Sequence, residues 1–165
     1  MKTINFFCFF LFLLFICSCS DQKQGEYSVF TSGTETSKID FNTDSITGKW
    51  INMWNTYDLS DVFSLFINDT SLTYFSSEKE GLIKGFNAVL KHHEDFGFVE
   101  GGKESTNILW LEDIYINIQW PVVIVTAIWY FKNKESEDVQ KGPVTMVYVQ
   151  KDGEYRLMHL QFANY

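Results

Sequence analysis

The chain has 165 residues and a formal net charge of −8, with 13 Lys and Arg against 21 Asp and Glu. This length suits one domain with a short extension. The acidic balance argues against nucleic acid as a partner, because phosphate binding requires clustered Lys and Arg. All five Trp and all eight Tyr lie beyond residue 20, so a large aromatic area must be buried in a core, a pocket or an interface.

The first nineteen residues have the pattern of an export signal. Lys2 precedes an unbroken run of Phe, Leu, Ile and Cys at 6–16, which is too short for a membrane span but has the length of a signal-peptide core. The sequence ICSC at 16–19 resembles a bacterial lipobox. The resemblance implies cleavage after residue 18, lipidation of Cys19 and attachment to the lipid bilayer of a bacterial cell envelope. An ordinary cleaved secretory signal is the alternative.

The other cysteines, Cys8 and Cys17, belong to the same segment. A chain cleaved before Cys19 therefore has no disulfide, thiol nucleophile or Cys-x-x-Cys metal site, and we expect no cofactor. Ser20 follows the cysteine, which by resemblance to other lipoproteins is compatible with the outer membrane. Residues 19–45 show no apolar period and are predicted as the lipidated cysteine and a flexible tether.

The domain is predicted over residues 46–165. An apolar stripe with helical spacing runs from Ile46 to Tyr57, and Asp58 and Asp61 are placed as N-cap and N3 of a second helix. A third helix follows the glycines at 81 and 85. We place it from Phe86 to about Phe96, and the predicted strands are 72–75, 107–119, 122–132, 144–150 and 155–162. Helices followed by a strand meander predict an α+β domain with helices on one face of a curved sheet.

Four segments, in order, resemble the nuclear transport factor 2-like superfamily, specifically its SnoaL-like branch. They are Trp54 with DLSDVFSLF at 58–66, GFNAV at 85–89, WPVVIVT at 120–126, and 142–159 from GPVTMVY to DGEYRLMH. The resemblance implies a cone: a strongly bent antiparallel sheet on three N-terminal helices, a cystatin-like α+β roll with an apolar pocket at its mouth. Members include isomerases, dehydratases, cyclases and non-catalytic binding or assembly modules, so the fold does not choose among these functions.

The last strand supplies most of the predicted pocket residues. Alternation places one set of side chains on a single face: Tyr155, Leu157, His159, Gln161 and Ala163. The resemblance implies that this is the concave face. In the family, a histidine pair often occupies the positions of His159 and Gln161. His159 is a candidate general base or a polar anchor for a carbonyl. Gln161 weakens any two-histidine chemistry, and a histidine satisfied by a backbone group is the alternative.

Two further pocket candidates come from the helices. Trp54 resembles the first-helix tryptophan that lines the family pocket, and a pocket lined by such rings suits a flat apolar or sugar-like ligand. His93 lies on the apolar side of the third helix and is a candidate for the same cone, with a place at the core edge or the helix end as the favoured alternative, whereas His92 is predicted to be solvated. His93 and His159 lack a third ligand, so no metal site is predicted.

Two pairs of carboxylates are candidate acid–base groups. Capping is the favoured explanation for Asp58 and Asp61. Glu112 and Asp113 are adjacent, so one of them would point inward with a raised pKa in an acid–base isomerase. A bulge, or solubility at a sheet edge, is the favoured alternative.

The leading hypothesis is a lipid-anchored protein that binds a small apolar molecule or a partner without catalysis. The first alternative is an isomerase, dehydratase or cyclase with His159 as base. The second is a structural dimerisation module. A homodimer through the outer face of the sheet is also predicted, and core packing together with this interface is the alternative to a pocket as the explanation of the tryptophans. That surface is assigned to Met146, Tyr148, Met158, Leu160 and Phe162.

Overall fold

The computed structural model describes residues 28–31 and 43–165. The predicted signal peptide, Cys19 and most of the predicted tether lie outside the described residues. The elements are β1 Ser28–Thr31, α1 Thr43–Thr56, α2 Val62–Leu65, β2 Thr73–Phe75, β3 Ile83–Lys84, α3 Phe86–Asp95, β4 Asn107–Gln119, β5 Val122–Asn133, β6 Val139–Lys151 and β7 Glu154–Phe162. Within the described ranges, no helix is long and apolar enough to cross a membrane.

The strands form one seven-stranded sheet in the order β1-β4-β5-β6-β7-β2-β3. Strands β4 to β7 make an antiparallel meander, whereas β2 runs parallel to β7 and β1 parallel to β4. The three helices precede the meander in the chain. This is the predicted α+β arrangement.

The core lies between the helices and one face of the meander. Alternate residues of β5 and β6 point into it and are buried, while their neighbours are more exposed. The buried set is Val123, Val125, Ala127, Trp129, Val144, Met146 and Tyr148. Helix α1 adds Trp50 and Met53. It is also fastened to β4, because the Asn55 amide donates to the Leu109 carbonyl at 2.9 Å and accepts from the Leu109 N–H at 2.6 Å.

A bulge in β7 reverses the predicted faces at the end of the chain. Val147 of β6 pairs with His159 and Tyr148 pairs with Leu157, so Met158 is the extra residue. Leu157 and Leu160 therefore both point inward and are fully buried. The predicted dimer surface is wrong for Met146, Tyr148, Leu160 and Phe162, which belong to the core; Met158 is half-buried.

Strand β1 lies inside the span predicted as tether. Ser28–Thr31 pair in parallel register with Tyr115–Ile118 along the edge of β4. The prediction of a continuous tether is wrong for these four residues. Their local sequence has no strand period, and the strand exists because a distant edge offers unpaired backbone groups. Helix α1 also begins earlier than predicted, at Thr43.

Candidate functional site

A cavity of about 290 Å³ opens between the helices and the concave face of the sheet. We call it the aromatic cavity, because seven of its lining residues carry aromatic rings: Trp54, Tyr57, Tyr74, Phe96, Trp129, Phe131 and Phe162. Leu109 completes the apolar wall, and the polar lining residues are Ser76, Ser77, Glu78, Asn107 and Gln140. The polar residues are exposed or half-buried, whereas Tyr74, Trp129 and Phe162 are buried. The cavity therefore has an apolar interior and a polar rim.

Trp54 is the central wall residue, and its predicted place in the pocket agrees with this lining. Its ring lies 6.1 Å from Phe96, 6.1 Å from Phe131 and 6.5 Å from Phe162, at angles of 64°, 83° and 64°. Such edge-to-face pairs add to the stability gained from burial alone. The indole nitrogen of Trp54 is buried and has no hydrogen-bond partner among the described residues.

Tyr57 fixes the rim of the cavity where α1 ends. Its φ is 54°, the left-handed conformation in which helices often stop. Its hydroxyl accepts from the Asn107 amide at 2.6 Å, and its carbonyl accepts from the N–H of Val99 at 2.9 Å. Phe98 packs on its ring at 4.5 Å. These contacts hold the backbone of Tyr57 in a conformation that a residue other than glycine adopts at a cost.

His93 is placed behind the cavity wall rather than in it. It is fully buried among Trp54, Phe66, Tyr74 and Phe98, with ring centroids 5.3 to 6.0 Å away. Its Nδ1 lies 2.8 Å from the Val89 carbonyl and donates to it, so Nε2 is the unprotonated nitrogen. Burial lowers the pKa of His93 to about 4, so the ring is neutral at physiological pH. The candidate place of His93 in the cone is therefore wrong. Its ring lies in the core, separated from the cavity by one layer of aromatic rings.

His92 is also buried, which corrects the prediction that it is solvated. Its ring packs on Phe96 at 5.0 Å and on Tyr74 at 5.4 Å. Burial, and secondarily the charge of Lys79, lower its pKa. Residues on two faces of α3 are thus covered, because β2 and the segment after the helix close over it.

The four pocket residues predicted on β7 do not line the cavity. Leu157 is in the core, Tyr155 is half-buried and Gln161 is exposed. His159 points away, and its Nδ1 lies 2.8 Å from the Thr73 hydroxyl on β2. Burial lowers the pKa of His159. For His159 and Gln161 the reason is the bulge at Met158, which turns every later side chain of β7 to the opposite face, whereas Leu157 precedes the bulge and points inward as predicted. The predicted location of His159 is therefore wrong, and its catalytic role stays a prediction.

The four carboxylates considered as acid–base candidates have structural explanations. For Asp58 and Asp61 these differ from the predicted helix capping. Helix α2 begins at Val62, and Asp61 makes no capping hydrogen bond. The Asp58 carboxylate accepts from the Ser60 N–H at 2.8 Å and from the Gly101 N–H at 3.0 Å, joining two loops instead of capping a helix. These hydrogen bonds, with the Ser60 hydroxyl first, lower the pKa of Asp58.

Glu112 and Asp113 lie at a bulge in β4, which confirms the bulge that was favoured over an acid–base role for them. The pairing with β5 shifts between Glu112 and Tyr115, and Asp113 has a φ of 52°. Both carboxylates are exposed. In the part of the chain that is described, no group of three or more His, Cys, Asp or Glu is arranged to hold a metal ion.

Several cavity residues were missed from the sequence. Trp129 and Phe131 share the alternation that buries the rest of β5, so this signal was present. Phe96 follows His93 by three positions, so the helical spacing could have placed it on the same side of α3 as a cavity candidate. Phe162 was hidden by the bulge, and Glu78 and Gln140 come from loop and strand-end positions that only the tertiary fold brings together.

The sequence matches no family model and no curated protein, but the fold resembles many solved structures. A nuclear transport factor 2-like protein from Salmonella enterica serovar Typhimurium has a TM-score of 0.59 at 13% identity, covering 73% of this chain and 86% of that one. A putative dehydratase of the same family from Streptomyces avermitilis has a TM-score of 0.62 at 11% identity, covering 73% and 91%. The association domain of Caenorhabditis elegans CaMKII has a TM-score of 0.58 at 17% identity, covering 72% and 90%.

These likenesses establish the fold. The chain has the cystatin-like α+β fold of nuclear transport factor 2-like proteins, as the sequence predicted. Proteins with this fold include enzymes and association domains as well as proteins of unknown function. The identities are too low to carry a function across, so the function has to be argued from the cavity.

Proposed function

We propose that this protein binds a small, largely apolar molecule in the aromatic cavity, without catalysis. The observation that carries the proposal is the cavity itself, with seven aromatic rings around about 290 Å³ and polar side chains only at the rim. This size lies at the lower end of the range for small-molecule sites, roughly 300–1,000 Å³, and such sites combine apolar walls with a few polar groups.

A catalytic function has less support from the geometry. The predicted base, His159, lies on the face of β7 opposite the cavity, and His93 is sealed behind Trp54. Among the cavity-lining residues, Glu78 is the one carboxylate, and no histidine or lysine joins it. A general base and an acid that converge on one substrate atom are therefore not brought together by this lining.

A blocking substitution at the rim tests the binding proposal. The neutral fluorescent probe 1-aminoanthracene is titrated into the full-length protein and into Gln140→Trp, which fills the mouth of the cavity. Gln119→Trp is the control, because Gln119 is equally exposed but lies on β4 outside the lining. We expect the wild type and the control to bind with similar Kd and Gln140→Trp to bind at least about tenfold more weakly. Equal affinities in all three proteins, or no binding, would overturn the proposal.

We also propose that the protein is held at a bacterial cell envelope, in the outer membrane, by lipid on Cys19. The support is the leader at residues 1–19, with its charged start, short apolar run and lipobox-like end. Cys19→Ser is expected to abolish incorporation of labelled palmitate and to move the protein out of the membrane fraction. Cys8→Ser, a change of the same kind within the apolar run, is expected to leave both unchanged. Labelling that survives Cys19→Ser would refute the anchor.

A second candidate function is self-association. The face of the sheet turned away from the helices, here called the convex face, displays half-buried and exposed apolar groups on three adjacent strands: Trp110, Tyr115, Ile124, Ile128, Tyr130 and Val147. Trp110 and Tyr130 are stacked at 5.1 Å. Structures of similar fold include association domains, and a homodimer through this face would cover these groups. This surface replaces the one predicted from the sequence.

A further inference from the structure

The charge and ring geometry of the aromatic cavity narrow the class of ligand. We infer that the cavity takes an organic cation of the quaternary ammonium type, with the methylated head group among the rings and Glu78 as its counter-charge. This inference rests on the proposed binding function. It adds a ligand class and a role for Glu78.

The first argument is the sign of the charge around the cavity. Among the described residues, Glu78 is the only one with a formal charge that lines the cavity, and no Lys or Arg of these residues does so. The chain as a whole carries a net charge of −8. An aromatic ring presents negative electrostatic potential at its face, so rings and carboxylate act in the same direction on a cation and against an anion.

The second argument is the arrangement of the rings. Trp54 stands at 64° to Phe96 and at 83° to Phe131, and Trp129 stands at 77° to Phe162. Rings so steeply inclined to one another line the cavity with surfaces that face in different directions. A cage of rings is the arrangement that recognises quaternary ammonium groups.

The third argument is hydrogen bonding. The buried part of the lining is mostly ring and aliphatic surface; its polar side-chain atoms are two indole N–H groups, which only donate, and the Tyr74 hydroxyl. A primary ammonium group would find at most one side-chain acceptor there and would leave its other N–H donors unpaired, which is costly. A methylated ammonium has no N–H donor to satisfy. Its charge is matched by Glu78 at the mouth, where water still reaches the carboxylate.

One lysine already contacts a cavity ring without entering the lining. The Lys103 ammonium lies 4.9 Å from the centroid of Tyr57, whose other contacts are Phe98 and Asn107. Tyr57 is thus engaged by an internal cation and serves as part of the frame. The rings left for a ligand are those of Trp54, Phe96, Trp129 and Phe131, together with the buried Tyr74 and Phe162.

Three probes of nearly equal shape and different charge test the inference. They are choline, 3,3-dimethylbutan-1-ol and 3,3-dimethylbutanoate, which carry a trimethylated head group and are cationic, neutral and anionic, respectively. Binding to the full-length protein is followed by the upfield shift of the methyl proton resonance, which ring currents in the cavity produce. We expect choline to bind about tenfold more tightly than the neutral probe, and the anion to bind most weakly.

Substitutions assign the charge effect to the cavity. Glu78→Gln is expected to weaken choline binding about three- to tenfold and to leave the neutral probe unchanged, whereas Glu80→Gln, the same change at an exposed residue outside the lining, leaves both unchanged. Equal binding of choline and the neutral probe would overturn the cation inference and leave the binding proposal standing. Binding of none of the three probes, with 1-aminoanthracene still bound, would also overturn the cation inference alone. Failure of all four probes would overturn both.

Discussion

At the scale of single residues, His93 links the cavity wall to the stability of the domain. It is fully buried among aromatic rings, and its one hydrogen bond, from Nδ1 to the Val89 carbonyl, can be made by the neutral ring. Protonation would place a charge in this apolar layer, and burial accordingly lowers the pKa to about 4. The unfolded chain binds this proton near pH 6.5, so the unfolded state binds more protons between about pH 6.5 and 4.

The sign of the pH dependence follows directly. The contribution of His93 to stability is complete above pH 6.5 and is lost as the pH falls towards 4, by roughly 3 kcal/mol. In His93→Phe, which keeps the ring volume and removes the titrating group, most of this loss should be absent. Part of the slope should remain, because burial also lowers the pKa of His92 and of His159. Urea unfolding at a series of pH values measures the effect, with His159→Phe as the comparison, since His159 is only half-buried and its removal should change the slope less. Parallel curves for wild type and His93→Phe would contradict the assignment.

At the scale of elements, two bulges decide which side chains reach the cavity and which reach solvent. In β4 the shift between Glu112 and Tyr115 lets Leu109 and Ile116, seven positions apart, both be buried. In β7 the shift at Met158 does the same for Leu157 and Leu160. Each bulge also bends its strand, which helps the sheet to wrap around the helices.

The β4 bulge depends on Asp113, whose φ of 52° disfavours bulky and β-branched residues. Asp113→Val is expected to lower the free energy of unfolding by about 1–2 kcal/mol, whereas Asp113→Gly should be neutral or stabilising. Glu112 is the exposed neighbour and has an ordinary strand conformation. There Glu112→Val should be more stable than Glu112→Gly, the reverse of the order expected at Asp113. Chemical unfolding of the four variants measures this crossover. The same order of Val and Gly at both positions would contradict the bulge.

The extent of several long elements was more predictable than the direction of their side chains, although β6 begins at Val139, five residues before its predicted start. The limits of β4 were predicted to the residue, and α3 and β7 to within one residue, because turn signals and apolar runs are local. The faces of β7 were not predictable, since one extra residue reverses the alternation and nothing in the run YRLMHLQF marks it. Strand β1 and the rim residue Glu78 depend on contacts far away in sequence. The tryptophan on α1 was placed in the pocket from the resemblance to a known fold.

At the scale of the whole molecule, the convex face leaves a group of apolar and aromatic side chains at the surface of the described part of the chain. A stable homodimer buries about 800 Å² on each protomer, and six apolar or aromatic groups on adjacent strands can supply the centre of such an interface. If they do, a charge in the middle of the face should separate the protomers.

Ile128→Glu places a second carboxylate opposite Glu112, which accepts from the Trp110 indole N–H at 2.9 Å beside the Trp110 and Tyr130 stack. We expect the wild type to have the mass of two protomers in light scattering at micromolar concentration, and Ile128→Glu to have the mass of one. Phe63→Glu is the control, because Phe63 is 56% exposed on α2 and away from the sheet. It should remain dimeric. A monomeric wild type would exclude the convex face as a stable interface.

If Cys19 carries the lipid, the parallel pairing of β1 with β4 limits the distance at which the domain can stand from a membrane. The first paired residue is then Ser28, at the start of β1, and not a residue near α1. Nine residues reach at most about 30 Å when fully extended, whereas the chain to Ile46 would reach roughly 90 Å. The domain would then lie close to the lipid surface, attached through the edge of its sheet. Only ligands or partners able to come within that short distance of the membrane would reach it.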